Sequence, residues 1–191
     1  MRNATILLFI ASVLASCAGK VYTYSVEMTH PTYSKQLFYE NDTFSIAFQL
    51  QPKWIEFTIY NKSTDGIKIN WDEVSFSVDG KTHRVVHKET GTYKITDVQP
   101  PTTIPPKSNL KDFIISTDKL VMAQGSTFNF VTLNVRDQFP DNDFGNKKTK
   151  EFILSYKGNR VTIFMPYYVR GQYVSQYYDL MIRDVYPRKK T

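Results

Sequence analysis

The chain has 191 residues, a formal net charge of +6, one cysteine and 41% hydrophobic residues. This length suits a single domain, and the apolar fraction is too high for a disordered chain. A lone cysteine excludes an intramolecular disulfide and a zinc site built from several thiolates, and eight glycines without a period exclude collagen. The 13 tyrosines and 13 phenylalanines favour β-structure.

Residues 1–16 are typical of an export signal, with Arg2 before an apolar run over residues 4–14. That run is too short to span a membrane as a helix. The next residues, Leu14-Ala15-Ser16-Cys17, resemble the lipobox of bacterial lipoproteins. The resemblance implies cleavage before Cys17, lipid on its sulfur and a membrane as partner. The alternative is an ordinary secretory signal cut near Ala18 or Gly19.

The same resemblance predicts a cell-envelope location and a division of the chain. Ala18 follows the cysteine, which in enterobacteria-like sorting implies the outer membrane. We expect a signal peptide over 1–16, a lipidated tether over 17–30, a β-domain over 31–187 and a basic tail over 188–191. Residues 20–28 alternate in part, so they are either tether or a first strand.

Alternating apolar residues predict the first strands of the domain. Residues 43–50 place Phe44, Ile46 and Phe48 on one face, and residues 54–60 and 67–71 continue the pattern. Asp79-Gly80 separates the runs 74–78 and 81–87, which predicts a two-residue hairpin with positive φ. Residues 97–109 hold four prolines and predict an extended crossover between two sheets.

The second half of the chain continues as short extended runs. We predict strands over 110–115, 127–135 and 176–182, and a hairpin of 151–156 with 160–165. No segment after residue 20 has a convincing helical period. The fold class predicted is all-β, a single antiparallel immunoglobulin-like β-sandwich. The pattern of 57–61, 67–72 and 79–80 resembles small bacterial envelope lipoproteins of that fold, which implies a fold and no active site.

Few residues point to chemistry. His83 and His87 share a strand face but lie about 13 Å apart, which is too far to ligate one ion. Residues 141–145 resemble a calcium loop only weakly, because Gly and Glu are missing from the required positions. There is no Gly-x-Ser-x-Gly elbow. We therefore expect no metal, no cofactor and no enzymatic activity, with a hydrolase as the third hypothesis.

A tyrosine cluster near the C-terminus is the strongest candidate for binding. The possible partner-binding residues are Tyr167, Tyr168, Arg170, Tyr173 and Tyr178. Rigid phenol rings beside arginine suit a contact surface or stacking on sugar rings. The alternative is that Tyr177 packs inward while its neighbours line the sheet.

The positive charge lies in the C-terminal half, where residues 101–191 hold fourteen basic and eight acidic side chains. Such a surface suits an anionic envelope polymer or phospholipid, or is simply solvated. Nucleic acid is not expected for an exported chain. The predicted function is a membrane-anchored, non-catalytic binding, scaffolding or assembly protein, and the alternative is glycan or envelope-polymer recognition. The candidates for a basic patch are Lys147, Lys148, Lys150, Lys157, Arg160 and the tail 188–190.

Overall fold

The computed structural model describes residues 19–87, 98–121 and 134–188. Cys17, the signal segment 1–16 and most of the predicted strand 127–135 lie outside the described residues, as does the tail beyond Arg188. The described strands are β1 Tyr22–His30, β2 Phe38–Glu40, β3 Phe44–Leu50, β4 Ile55–Asn61, β5 Ile67–Ile69, β6 Ser75–Val78, β7 Lys81–His87, β8 Thr102–Ile104, β9 Asn109–Ser116, β10 Leu120–Val121, β11 Asn134–Val135, β12 Arg160–Phe164, β13 Tyr167–Val169, β14 Gln172–Val174 and β15 Tyr177–Pro187, and the helix is α1 Lys147–Leu154.

These strands form antiparallel sheets, so the all-β class is confirmed. The large sheet has nine strands in the order β1-β15-β12-β6-β7-β9-β4-β3-β2. A four-stranded sheet follows the order β14-β13-β5-β8, and β10 pairs with β11 in a short ribbon. The chain crosses between these two larger sheets more than once, so β5 and β8 lie in one sheet with the β13–β14 hairpin.

The nine-stranded sheet curls until its two edges nearly meet. Met28 on β1 exchanges backbone hydrogen bonds with Ser34, at 2.8 and 3.0 Å. The Phe48 N–H on β3 donates to the Leu37 carbonyl at 3.0 Å, just before β2. Because residues 34–37 contact both edges, the sheet is almost a barrel, and its inward faces enclose one core.

Side-chain alternation explains the strands that were predicted. On β3, Phe44, Ile46 and Phe48 are buried, and on β4 every second residue from Ile55 is buried. The hairpin at Asp79-Gly80 is confirmed, with φ of 50° and 80° at these two residues. The proline-rich crossover contains β8. This strand lies at the edge of its sheet, and an edge position tolerates the prolines that flank it.

The strand predicted over 151–156 is wrong, because α1 covers residues 147–154. The Asn146 side chain caps the helix by accepting the N–H groups of Lys148 and Thr149 at 2.9 and 3.2 Å. Ile153 is its one buried residue. Because so little of the helix is buried, the sequence shows no helical period, and the Asn146 cap is the local feature that favours the helix start.

The first strand belongs to the domain rather than to a tether. β1 pairs with β15 along its length, from Tyr22 opposite Pro187 to His30 opposite Asp179. The strand interpretation of residues 20–28 therefore holds, and the folded region begins before residue 31. Pairing with a central strand and burial of Tyr22 and Met28 hold it in place.

β15 gives the domain two ends. Its last residue, Pro187, lies opposite Tyr22, where the chain enters β1. Its first residue, Tyr177, follows the β13–β14 hairpin. Eleven strand residues span roughly 33 Å. We call the Tyr22 side the proximal end and the hairpin side the distal end.

Asn61 joins the four-stranded sheet to the end of β4. It is fully buried, and its Nδ2 donates to the carbonyls of Asp65, Ile104 and Pro105 at 2.7, 3.0 and 3.1 Å. Its Oδ1 accepts the Ser63 N–H at 2.9 Å. One amide therefore fixes both the turn into β5 and the backbone at the end of β8.

Candidate functional site

The β13–β14 hairpin carries the exposed tyrosines at the distal end. Arg170 and Gly171 form its two-residue turn, both with positive φ, at 53° and 74°. This turn places Tyr168 opposite Tyr173, with ring centroids 5.4 Å apart in an edge-to-face arrangement. Tyr173 is 50% exposed, so the pair presents aromatic surface to solvent.

A carboxylate after β5 orients Tyr168. The Tyr168 hydroxyl donates to Glu73 Oε1 at 3.0 Å, and Asn70 Nδ2 donates to the same oxygen at 2.7 Å. The hydrogen bond to this carboxylate raises the pKa of the Tyr168 phenol, with a smaller contribution from burial. Tyr168 is therefore a neutral hydroxyl with a fixed ring position.

An ion pair orients Arg170 in the same way. Its Nε donates to Asp65 Oδ2 at 2.8 Å, from the turn that Asn61 holds. This hydrogen bond lowers the pKa of the Asp65 carboxyl. Because Arg170 is exposed and Asp65 is only half-buried, the pair fixes a position more than it stabilises the fold.

A groove of about 610 Å³ lies beside the hairpin. Lys68 lies directly opposite Tyr168 on the neighbouring strand, and its side chain is exposed. The lining combines cations, amides, a phenol and a carboxylate, which suits hydrogen bonding to a polar ligand. The lining residues are Gly66, Lys68, Asn70, Asp72, Val98, Gln99, Pro101, Tyr168, Arg170 and Gly171. We call the half-buried Tyr168 and the exposed Lys68, Arg170 and Tyr173 the distal surface.

The structure brings together three of the five predicted contact residues, Tyr168, Arg170 and Tyr173. The other two are corrected. Tyr178 is 1% exposed, and Tyr167 is buried with its ring 5.1 Å from Phe44, so neither is placed to contact a partner. The reason is strand alternation: Tyr167 and Tyr178 fall on the inward phase of β13 and β15.

The alternative for Tyr177 is also wrong, because this residue is exposed. Its ring stacks on His30 with centroids 3.9 Å apart. The alternation of Tyr178, Leu180 and Ile182 in the sequence was a signal for the correct phase. No sequence signal identified Glu73 or Lys68, because only the pairing of β5 with β13 brings them to the hairpin.

His83 and His87 each lie beside a different carboxylate. His87 is buried, with Nδ1 2.9 Å from Asp112 Oδ2 and its ring stacked on Trp71 at 3.8 Å. His83 Nδ1 lies 3.1 Å from Asp118 Oδ1. Within residues 19–87, 98–121 and 134–188 no cluster of three His, Cys, Asp or Glu side chains could hold a metal ion.

The loop that resembled a calcium site has a structural use. Asp143 accepts the backbone N–H groups of Lys20 and Gly145 at 2.7 and 2.9 Å, and the Tyr22 hydroxyl at 3.0 Å. These hydrogen bonds, the Gly145 N–H foremost, lower the pKa of Asp143. Its carboxylate therefore fastens the start of β1 to this loop.

No protein-family model, curated protein or solved structure matches the chain. The part of the chain described here has no helix long and apolar enough to cross a membrane. The case for a functional site therefore rests on the geometry of the distal surface.

Proposed function

We propose that this chain is a lipid-anchored protein of the bacterial cell envelope that binds a partner, without catalysis, through its distal surface. The observation that carries the proposal is the packed Tyr168–Tyr173 pair, with Tyr173 exposed, beside the exposed Arg170, at the end of β15 opposite the entry of the chain. A protein held at its N-terminus would present this surface away from the membrane.

The contacts within the distal surface favour binding over chemistry. Tyr168 is held by Glu73 and Arg170 by Asp65 before any ligand arrives. Rings and cations positioned in advance lose little conformational entropy when they contact a partner. Aromatic residues and arginine are also the side chains most enriched at the centres of interfaces.

The anchor in this proposal is lipid on Cys17, and the compartment is the outer membrane, as Ala18 suggests by resemblance. Two or three acyl chains give stable attachment where one is marginal. As the finer description of the fold we propose an immunoglobulin-like sandwich. Support comes from the four-stranded sheet, whose Ile67 and Ile69 pack in the same core cluster as the large sheet.

The second candidate is recognition of a glycan or anionic envelope polymer. The groove beside the hairpin favours it, because Lys68 and Asn70 offer hydrogen-bond donors next to the Tyr168 ring. Sugar hydroxyls bind amides and lysine, while the ring face stacks on a pyranose. The two candidates share the site and differ in the chemistry of the ligand.

Site-specific crosslinking tests the proposal. A photoreactive phenylalanine replaces Tyr173 in the full chain, in its native membrane. Tyr186 is the matched control, because it is an exposed tyrosine on β15 near the proximal end. We expect a protein or polymer adduct from position 173, absent from position 186 and reduced by Arg170→Ala. Identical adducts at both positions, or none from position 173, would contradict the proposal, while sensitivity of the adduct to protease or to glycan hydrolases separates the two candidates.

A further inference from the structure

The point where the chain enters the domain is fixed against one loop. A Cβ on Gly19 would lie 2.6 Å from the Cα of Phe144, so the two backbones touch. Lys20 and Asp143 exchange hydrogen bonds beside them, at 2.7 and 3.1 Å. Residue 17 precedes Gly19 by two residues, a reach of at most about 7 Å. Whatever holds Cys17 therefore holds this loop close to itself.

The loop displays an aromatic ring to solvent. Phe144 is 74% exposed and adopts a φ of 50°, which is uncommon for a bulky residue. Its N–H donates to Asn142 Oδ1, and the following Gly145 N–H donates to Asp143 Oδ1, both at 2.9 Å. These hydrogen bonds hold the turn without burial of the Phe144 ring, so the ring is available to contact another surface.

Helix α1 follows within three residues and adds further exposed apolar side chains. Phe152 is 53% exposed and Leu154 is 37% exposed, while Ile153 between them anchors the helix to the core. The helix is about 12 Å long, so these side chains stay near the proximal end. Five large non-tyrosine side chains are exposed in the described ranges, and three of them lie in this segment: Phe38, Val98, Phe144, Phe152 and Leu154.

Basic side chains surround these apolar groups. Lys147, Lys148 and Lys150 on α1 are exposed, and Glu151 is the single acid of the helix, 3.8 Å from Lys147. The helix therefore carries a net charge of +2, from three lysines and one glutamate. A lysine near an anionic bilayer is attracted to its headgroups, and apolar side chains of a helix lying on the membrane enter the headgroup region by about 5–10 Å.

We propose that Phe144, Phe152 and Leu154, with Lys147, Lys148 and Lys150, form a second membrane contact that lies on anionic phospholipid. We call these six residues the basal surface. The proposal rests on the proposed lipid anchor, because lipid on Cys17 brings the bilayer within reach of Phe144. Two contacts fix an orientation that one flexible anchor leaves free, and this orientation directs the distal surface outward.

Fluorescence quenching by brominated lipid tests the contact. The full lipidated chain is reconstituted into vesicles of brominated phosphatidylglycerol, with Trp replacing Phe144 or Phe152. Tyr173→Trp is the matched control, an exposed aromatic at the distal end. We expect bromolipid to quench the new tryptophan of Phe144→Trp and Phe152→Trp above the wild-type background, and to leave that of Tyr173→Trp unchanged. Reversal of the three lysines to glutamate should lower the quenched fraction by at least about twofold, because attraction to the anionic headgroups becomes repulsion.

Flotation of the same samples separates this proposal from the anchor. Wild-type protein that floats with the vesicles, with quenching confined to positions 144 and 152, supports both. Flotation without quenching at these two positions, or with equal quenching at position 173, overturns the basal surface and leaves the anchor standing. Wild-type protein that does not float with the vesicles overturns both proposals.

Discussion

The replacement Asn61→Ala tests how the distal end is held together. This side chain donates to three carbonyls, and the contact with Ile104 O, at 3.0 Å, is the one that lies fully buried. Asn61 is fully buried, so removing its amide group does not open the surrounding carbonyls to solvent. The variant therefore leaves a buried carbonyl without this donor and removes the acceptor of the Ser63 N–H.

The expected loss follows from these contacts. A buried polar group left unsatisfied costs about 1–3 kcal/mol, and each partly exposed hydrogen bond contributes about 1 kcal/mol. Asp65 O and Pro105 O keep other donors, the hydroxyls of Ser63 and Ser108. We therefore expect a decrease of about 3 kcal/mol in the free energy of unfolding. With a urea m-value near 2 kcal/mol/M, the midpoint falls by about 1.5 M.

Urea unfolding of residues 19–191, followed by tryptophan fluorescence, measures the change. Asn109→Ala is the matched control, since it removes an exposed asparagine from β9 beside β4 and should stay within about 0.5 kcal/mol of wild type. Asn61→Asp should destabilise at least as much at neutral pH, because its carboxylate would face the same carbonyls. An Asn61→Ala midpoint indistinguishable from that of Asn109→Ala would refute the reasoning.

Three further predictions concern the proximal loop, the helix and a turn. The pKa of the Asp143 carboxyl is lower in the folded than in the unfolded protein. Its ionised form therefore stabilises the fold fully above the pKa of the unfolded state, and this stabilisation is lost as pH falls through the folded-state pKa. The Asp143→Asn variant should therefore lose less thermal stability than wild type between about pH 5 and about pH 2. An equal loss of thermal stability in the two proteins would contradict this. Asn146→Ala removes the α1 cap and should cost about 1 kcal/mol in urea unfolding, with Asn146→Asp restoring most of it, and a cost equal in both variants would argue against capping. Gly80→Ala should also cost about 1 kcal/mol, from its φ of 80° alone, since a Cβ there meets nothing within 4 Å; a neutral result would contradict the strain argument.

The sequence predicted the features that depend on neighbouring residues. β3 and β4 alternate along one face, and Asp79-Gly80 is a local turn signal, so both are visible without the fold. Tyr168, Arg170 and Tyr173 were identified for the same reason, as they lie on one hairpin. The local pattern did not show which residues of β13 face the core, and for that reason Tyr167 was assigned to the surface.

Long-range pairing determines the rest, and no local pattern contains it. Glu73 and Lys68 reach the hairpin only because β5 pairs with β13, about a hundred residues later. The nine-stranded order likewise depends on β1 pairing with β15. Helix α1 was missed because a helix with a single buried residue needs no apolar period. Such features become predictable only when the sheet order is known.

The most direct test of the account is metabolic labelling of the full chain with an alkyne analogue of palmitate, in wild type and in Cys17→Ser. We expect label on the wild-type protein, and a Cys17→Ser variant that is unlabelled and keeps residues 1–16. Equal labelling of both proteins, or a wild-type chain that is processed without label, would contradict the lipid anchor on which the proposed function depends.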